Sequence, residues 1–408
     1  MSLLKRRDTI GVNRMLLILL GSLTAVAPMS TDMYLPAFPE ISSELLLAPG
    51  DVELTFSTYF IGMMVGMLCY GPISDRFGRK PPLIFGLTLY VLSAIAVAFS
   101  ASLAEMAGWR FLQGLGGSAG AVMTIAIVRD LCAPREGARV MSLITLVMGG
   151  APILAPLVGG LVLGFTRWQW IFGVLAGFGV LCLAGVALVL REPLIQRTRH
   201  LQLKPVICGY LELLRCRSFM GFVLCQAFTT GAMFAYIVGS PFVLMEIHGV
   251  APASFGLFFG ANAIGLVLAS QINRLLLRRY TPLAILRAAQ ILPLIGATLL
   301  LANAFRDTST FGLLLPGFFL VVSSVGLVGP NATAMALAEQ AHRAGLASAL
   351  HTTVNFGMGM CAGMLISILH DGTALPIALV IGAYAVGGLM ANRFITRITT
   401  LYPERSTA

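Results

Sequence analysis

The sequence predicts an all-α membrane protein of twelve transmembrane helices, in two six-helix halves around a central cavity. Three observations carry that prediction. First, 57% of the residues are hydrophobic and only 11% are charged, whereas a soluble globular chain carries about 25% charged residues. Composition therefore argues against a soluble enzyme, and no enzymatic activity is expected. Second, the apolar residues gather in twelve runs, of the order of the ~20 residues an α-helix needs to cross a hydrocarbon core. Third, with both termini on one side, 24 of the 27 Lys and Arg residues fall on that side, which the positive-inside rule makes cytoplasmic. The net charge of +10 is thus topology information rather than a docking stripe, and no nucleic-acid partner is expected. The expected setting is the bacterial cytoplasmic (inner) membrane, with the lipid bilayer around a multi-pass chain.

The runs, numbered here spans 1 to 12, lie near residues 14–36, 52–74, 82–101, 103–128, 139–165, 168–190, 219–245, 253–277, 282–304, 309–336, 344–369 and 374–396. Span 1 follows Lys5, Arg6 and Arg7 and contains Ala25-Val-Ala27, the shape of a signal-peptidase site. Pro28 directly after that site, and a run continuing to Tyr34, favour a retained first span. Asp32 lies in Ser30-Thr-Asp32-Met-Tyr34-Leu-Pro36, roughly 6 Å below the outer end of the run at 1.5 Å per residue. An ionisable group inside a span marks an ion or substrate path by default. Burial disfavours the charged form of a carboxyl group, so one whose surroundings alternate between wet and dry loads and releases a proton. The competing reading is an interfacial acid near the surface.

The loop from Ala37 to Asp51 holds Glu40, Glu44 and Asp51 but no base, and so lies outside. After span 2 comes a compact charged turn, Gly71-Pro-Ile-Ser-Asp75-Arg76-Phe-Gly78-Arg79-Lys80, whose bases mark it as cytoplasmic. Arg110 is the one strongly basic residue inside a span. It sits roughly 10 Å into span 4 from the outer side, where it could share the outer half of one cavity with Asp32. There it would favour the charged acid or bind an electron-rich ligand; a structural ion pair or carbonyl clamp is the alternative. Gln113, one turn further along the same face, extends that polar line. Glu105, at the start of span 4, reads as interfacial.

Span 4 also contains Gly116-Gly-Ser118-Ala-Gly120 and Gly114-Leu-Gly116-Gly-Ser-Ala119, which match hydrolase and dinucleotide-binding patterns. Both patterns need a preceding strand and a loop, so inside a span these small residues read as packing surface. Span 5 carries Gly149, Gly150, Pro152, Ala155-Pro156 and Gly159-Gly160. Small residues allow close helix contact, and prolines remove backbone hydrogen bonds and bend the rod, which makes this a candidate hinge.

The longest non-apolar stretch, Arg191 to Ser218, divides the chain into residues 1–192, a cytoplasmic linker at 193–218, and residues 219–408. At the end of span 8, Asn273-Arg274-Leu-Leu-Leu-Arg278-Arg279 echoes the turn at Asp75 in degraded form, as paired six-span halves would. Tyr34, Gln226, Phe234, Tyr236, Asn331 and Asn355 could line a cavity for an amphipathic organic molecule; each could equally be an interfacial anchor or a helix–helix hydrogen bond. His351 reads as structural or interfacial. The seven cysteines all fall within spans or at their cytoplasmic ends, so neither a disulfide framework nor a metal site is expected.

Together these residues resemble the bicyclomycin-resistance (Bcr/CflA) branch of the drug:proton antiporters in the major facilitator superfamily. The likeness rests on Asp32-Met-Tyr-Leu-Pro36, the turn from Gly71 to Lys80, Arg110-Phe-Leu-Gln113-Gly114, Ala155-Pro-x-x-Gly159-Gly160, Gly239-Ser-Pro-Phe-Val243 and Pro330-Asn331-Ala-Thr. The resemblance implies a conformational latch at Gly71, Asp75, Arg76, Gly78, Arg79, Lys80 and Asp130. In it Asp75 would cap the inner end of a facing helix of the second half, and Arg79 would pair with Asp130 to hold the outward-open state. It implies proton coupling at Arg110 and Asp32, and an antiport hinge at Pro152, Pro156, Gly159 and Gly160. Two departures stand out. Ala155 replaces a glycine, and Gly21 to Pro28 lacks the second acid of some relatives, which suits neutral or zwitterionic rather than cationic substrates.

The expected function is proton-coupled export of small organic compounds, antibiotics included, by alternating access. Protons and a small-molecule substrate are the expected partners, the proton gradient replaces any cofactor, and the working unit is expected to be a monomer. The alternative is a carrier of one metabolite, an amino acid or sugar derivative, on the same fold. A receptor or scaffold would need a soluble output domain, for which the segments outside the spans are too short.

Overall fold

Hydropathy decides which segments become helices, and proline decides where they break. The computed structural model describes residues 14–132, 134–192, 203–305, 310–340 and 343–401. Twelve helical segments are long and apolar enough to cross a membrane: span 1 Arg14–Glu44, span 2 Asp51–Phe77, span 3 Lys80–Ala98, span 4 Leu103–Leu131, span 5 Val147–Phe165, span 6 Gln169–Val189, span 7 Arg217–Ile247, span 8 Pro252–Leu276, span 9 Pro282–Ala304, span 10 Phe311–Ala338, span 11 Gly345–Leu369 and span 12 Leu375–Arg393. Their outward surfaces carry large apolar side chains, among them Ile18, Phe85, Leu181 and Ile368, all strongly exposed, as lipid-facing helices require.

Three of these segments are broken. Span 1 is α-helical only to Asp32, continues as a 3₁₀ turn over Leu35–Ala37, and resumes as a helix over Phe38–Glu44. Pro36 explains the break: its ring clashes with the carbonyl four residues back, that of Asp32, and it donates no backbone hydrogen bond. The loop expected to begin at Ala37 is therefore helical over its first part, with Pro39 pre-set for the first turn and Glu40 at its positive end. Pro241 turns the end of span 7 into a π-helical segment over Phe242–Ile247. Pro293 coincides with a division of span 9 into Pro282–Ala289 and Ile291–Ala304.

Within the first half, span 4 is the central rod. A Cβ at Gly114 would overlap the Tyr59 carbonyl of span 2, one at Gly116 the Gly86 carbonyl of span 3, and one at Gly120 would lie 2.6 Å from the Leu23 carbonyl of span 1. The glycines of the two enzyme-like patterns are thus helix contacts. Of the linker, Leu203–Arg215 is a helix. It packs Gly209 on Leu346 of span 11 and ties Glu212 to Arg343 at 2.5 Å, so part of the expected linker is a docked amphipathic rod.

The two halves meet along spans 2 and 11 and along spans 5 and 8. Ser57 Oγ donates to the Met360 carbonyl at 3.2 Å, and a Cβ at Gly357 would lie 3.2 Å from Met64 Cε. A Cβ at Gly160 would lie 2.9 Å from the Pro252 carbonyl, and one at Gly256 2.7 Å from Leu157 Cδ2. The Gly357–Met64 contact lies at mid-span, and the other three lie toward the face where span 1 ends and span 2 begins, here the far face. On the terminal face, where span 1 begins and span 12 ends, Gly71 has no atom within 4 Å of a Cβ position and Asp75 is about half exposed. The halves are closed against each other at the far face.

Candidate translocation site

Asp32 ends the first helix of span 1 and is 3% exposed. Thr31 Oγ1 donates to its Oδ1 at 2.8 Å. The break beside it is held by span 5: a Cβ at Gly159 would overlap the Met33 carbonyl oxygen. Gly159 therefore packs on the broken backbone next to the acid, while its neighbour Gly160 packs on span 8 of the other half. The two glycines of the expected hinge touch different halves, which links the backbone at Asp32 to the seam between them. Pro152 and Pro156 lie inside the same helix, and Ala155 is fully buried.

Arg110 is fully buried too, but not beside Asp32. Its guanidinium carbon sits 4.3 Å from the ring centre of Tyr34 and 4.4 Å from that of Tyr59, with Phe172 at 5.8 Å. Nη1 donates to Gln113 Oε1 at 2.7 Å, whereas Nε and Nη2 have no hydrogen-bond partner. Desolvated cation–π contacts of this kind contribute about 2 kcal/mol. Among the described residues Arg110 makes no ion pair, so the shared cavity and the direct bias on Asp32 expected from depth alone are corrected here. The guanidinium is held in an aromatic box inside the first half, between spans 1, 2, 4 and 6. Tyr34 is part of that box and not a cavity wall; its hydroxyl lies 3.4 Å from Thr55 Oγ1. Glu105 is exposed and bonds the Ala101 amide at 2.9 Å.

Between the halves lies an aromatic cluster. Phe60 of span 2 packs against Phe234 of span 7 at 4.8 Å and stacks on Phe356 of span 11 at 5.2 Å, with Phe56 beside them at 4.6 Å from Phe60. Phe234 is the sequence-predicted member of this cluster. Tyr236 of span 7 is within electrostatic reach of Asp32 in the first half, with its ring 4.9 Å from Phe318 and its hydroxyl accepting from Asn262 at 3.0 Å. Asn331 donates to Asn273 Oδ1 at 2.6 Å, a bond between spans 10 and 8. Gln226 collects a polar group: Thr333 Oγ1 and His351 Nε2 both donate to its Oε1, at 2.8 and 3.0 Å. Asn355 donates to the His351 carbonyl at 2.7 Å and leaves its own Oδ1 buried and unpartnered. Gln226, Asn355 and, beyond expectation, Thr333 and His351 thus form one neutral hydrogen-bonding cluster.

At the terminal face, Arg79 Nε bonds Asp130 at 2.8 Å, and its Nη1 bonds Asp75 and the Ser74 hydroxyl, each at 2.6 Å. Burial opposes this guanidinium's charge, but the hydrogen bonds and charges of Asp130 and Asp75 outweigh it and hold its pKa above the ordinary value. Asp75 therefore pairs within its own half in this conformation, and among the described residues it caps no second-half helix. The Arg79–Asp130 pair is formed while the halves are closed at the far face, so it is not confined to the outward-open state it was expected to hold. Gly78 has φ +94°, which only glycine adopts without strain. A Cβ there would also lie 2.6 Å from the Glu192 carboxylate. Glu192 accepts from the Arg79 and Lys80 amides at 2.8 and 3.0 Å and so caps the start of span 3. Lys80 Nζ reaches the Ala187 carbonyl at 2.8 Å, and Arg76 lies over Phe77.

Two residues escaped the sequence reading. Glu192 followed the last apolar residue of span 6 and looked like loop. Glu53, near the start of span 2, is 3% exposed with Oε2 buried and unpartnered; by position it resembles Glu105, and only the seam between the halves distinguishes it.

Comparison with known proteins places this geometry. The Major Facilitator Superfamily profile matches residues 20–364. A Bacillus subtilis protein described as an uncharacterized MFS-type transporter, YdgK, is 35% identical over 93% of this chain and 94% of its own. The bicyclomycin resistance protein homolog of Haemophilus influenzae is 32% identical over 92% and 95%, and a Pseudomonas aeruginosa chloramphenicol resistance protein 30% identical over 88% and 85%. Among solved structures, an inward-facing bacterial homolog of the lysosomal transporter Spinster superposes with TM-score 0.71 at 15% identity, covering 96% of this chain and 98% of that one. A D-xylose–proton symporter does so with TM-score 0.70 at 14% identity, covering 94% and 97%. With its broken first span, its Arg79–Asp130 turn and its paired six-span halves, the chain belongs to the major facilitator superfamily, in the bicyclomycin-resistance branch.

Proposed function

We propose that this protein is a proton-driven exporter of small organic compounds, antibiotics included, across the bacterial inner membrane. The observation that carries the reading is the buried Asp32 carboxyl at the break of span 1, backed by Gly159 of the span that also touches the other half. Relatives named for resistance to bicyclomycin and chloramphenicol support drug export. The clustering of Lys and Arg supports a cytoplasmic terminal face, and on that reading the described state is closed outside. A proton taken up at Asp32 from outside accompanies that closure. Substrate then binds from the cytoplasm, on the neutral cluster around Gln226 and Asn355, the proton leaves inward, and the loaded carrier turns outward. The driving force is adequate: about 2.3 kcal/mol per charge per 100 mV and roughly 1.4 kcal/mol per pH unit. One chain supplies both halves, so a monomer suffices.

The test is an antibiotic susceptibility panel, with and without expression, paired with drug uptake into inverted membrane vesicles energised by a pH gradient. Raised resistance to several uncharged compounds with matching uptake is expected. Saturable transport of one metabolite with unchanged susceptibility would replace this reading by the metabolite carrier.

A further inference from the structure

One ionisable group outside the Asp32 and Arg110 surroundings is buried where the halves meet. Glu53 lies two residues into span 2, at the far-face end, yet it is 3% exposed. Span 11 is the cause. A Cβ at Gly363 would overlap Ser57 Oγ and lie 3.5 Å from the Glu53 carbonyl oxygen, so the two helices run against each other at this level. Just above, Gly50, with φ +91°, brings the preceding turn under His370, where a Cβ would lie 2.9 Å from His370 Cβ. The Glu53 side chain is enclosed by this closure, and its Oε2 has no hydrogen-bond partner.

The charges that face it are of one sign. Asp51 on its own helix and Glu246 at the end of span 7 are both within electrostatic reach, as is Tyr34 of span 1, whose ring also carries Arg110; among the described residues that guanidinium makes no ion pair with Glu53. His370 closes the seam above Gly50 and is partly exposed. Among the described residues Glu53 makes no ion pair. A carboxylate here would be buried without a countercharge, beside two further acids, and with one oxygen unsatisfied. A neutral carboxyl meets none of these penalties except the missing partner. Parting spans 2 and 11 would return the group to water, where the carboxylate is stable.

We propose that Glu53 is a second proton-binding site, placed at the outer gate: it takes a proton from the outside solution as spans 2 and 11 close, and returns it to the same solution when they part. The proposal rests on the alternating-access reading above. Because this proton never reaches the cytoplasm, Glu53 sets the pH range in which the gate shuts, while the transported proton is left to Asp32.

The test is hydrogen–deuterium exchange, corrected for intrinsic rates, on full-length protein in lipid nanodiscs between mildly alkaline and mildly acidic buffer. In the wild type, amides of the outer thirds of spans 2 and 11 gain protection on acidification, approaching tenfold per pH unit for one linked proton. In Glu53→Gln only the Asp32-linked part of that gain remains, and with Asp32→Asn added the same amides stay protected throughout, because neither side chain can then ionise. In Glu246→Gln, which removes only a neighbouring charge, the wild-type transition persists but moves to more acidic pH. A Glu53→Gln profile that follows the wild type would overturn the proposal, as would a wild type insensitive to pH, or Na⁺ at fixed pH reproducing the effect of acid. Failure of the transport reading would look different: Asp32→Asn would still transport uphill while the exchange difference at Glu53 remained.

Discussion

Arg110 shows how much of a site one residue can organise, and how little of that is written next to it. An ionisable side chain in an apolar run is visible in any sequence, which is why Asp32 and Arg110 were both found. Their partners are not visible, because Tyr34, Tyr59 and Phe172 come from three other spans and meet the guanidinium only once the half is packed. Depth arithmetic therefore put Arg110 at a workable level and beside the wrong neighbour. The box makes a specific prediction. Arg110→Lys keeps the charge but loses the planar stack between two rings and the directed bond to Gln113, and lysine is not an equivalent partner for such a site. Thermal unfolding of the purified variant should show a loss of about 2 kcal/mol, with transport reduced in parallel. A variant as stable as the wild type would mean that charge alone, and not the stacked geometry, is what the first half needs. The neutral cluster at Gln226 was partly legible: the amides were, but Thr333 and His351 join them only through the packing of spans 10 and 11 on span 7.

At the scale of elements, the twelve spans follow from hydropathy, since hydrocarbon permits little else. The breaks were harder to place. Proline marks a helix as unable to hold its regular bonds, but the chain alone does not say whether the helix runs on through it, as span 5 does past Pro152 and Pro156, or stops, as span 1 does after Asp32. Two helices, Phe38–Glu44 and Leu203–Arg215, lie outside the apolar runs, where the sequence predicts loop and linker. Both are amphipathic or short, so they carry too little apolar length to register as spans, and their stability comes from docking. Glu44, for instance, accepts from Trp168 Nε1 and Gln169, both at 2.9 Å. Span 5 offers the sharpest contrast between neighbouring glycines. At Gly159 a methyl group would meet backbone; at Gly150 a Cβ has no neighbour within 4 Å. Gly159→Ala should cost about 1–3 kcal/mol through overpacking and should lower transport by disturbing the break at Met33. Gly150→Ala should leave both unchanged. Thermal unfolding and uptake assays on the pair would show it, and equal behaviour of the two variants would count against span 5 as the element that ties Asp32 to the seam.

For the whole molecule, the division into halves was legible from the basic linker and the degraded repeat of the turn at Asp75. The face on which the halves close was not, because one sequence must fold into every state of the cycle. Closure at the far face follows from small residues at spans 2, 11, 5 and 8 and from the aromatic cluster of Phe56, Phe60, Phe234 and Phe356. In the same state the Arg79 network stays within the first half, with Asp75 paired to Arg79 and half exposed. The account as a whole joins one buried acid to this closure. Its most direct test is transport by the reconstituted protein carrying Asp32→Asn, measured in two modes on one preparation. Exchange of labelled for unlabelled substrate across proteoliposomes should persist, since it needs no proton to cross. Uphill transport driven by an imposed pH gradient should fall to background. Uphill transport at the wild-type rate in Asp32→Asn would contradict the account.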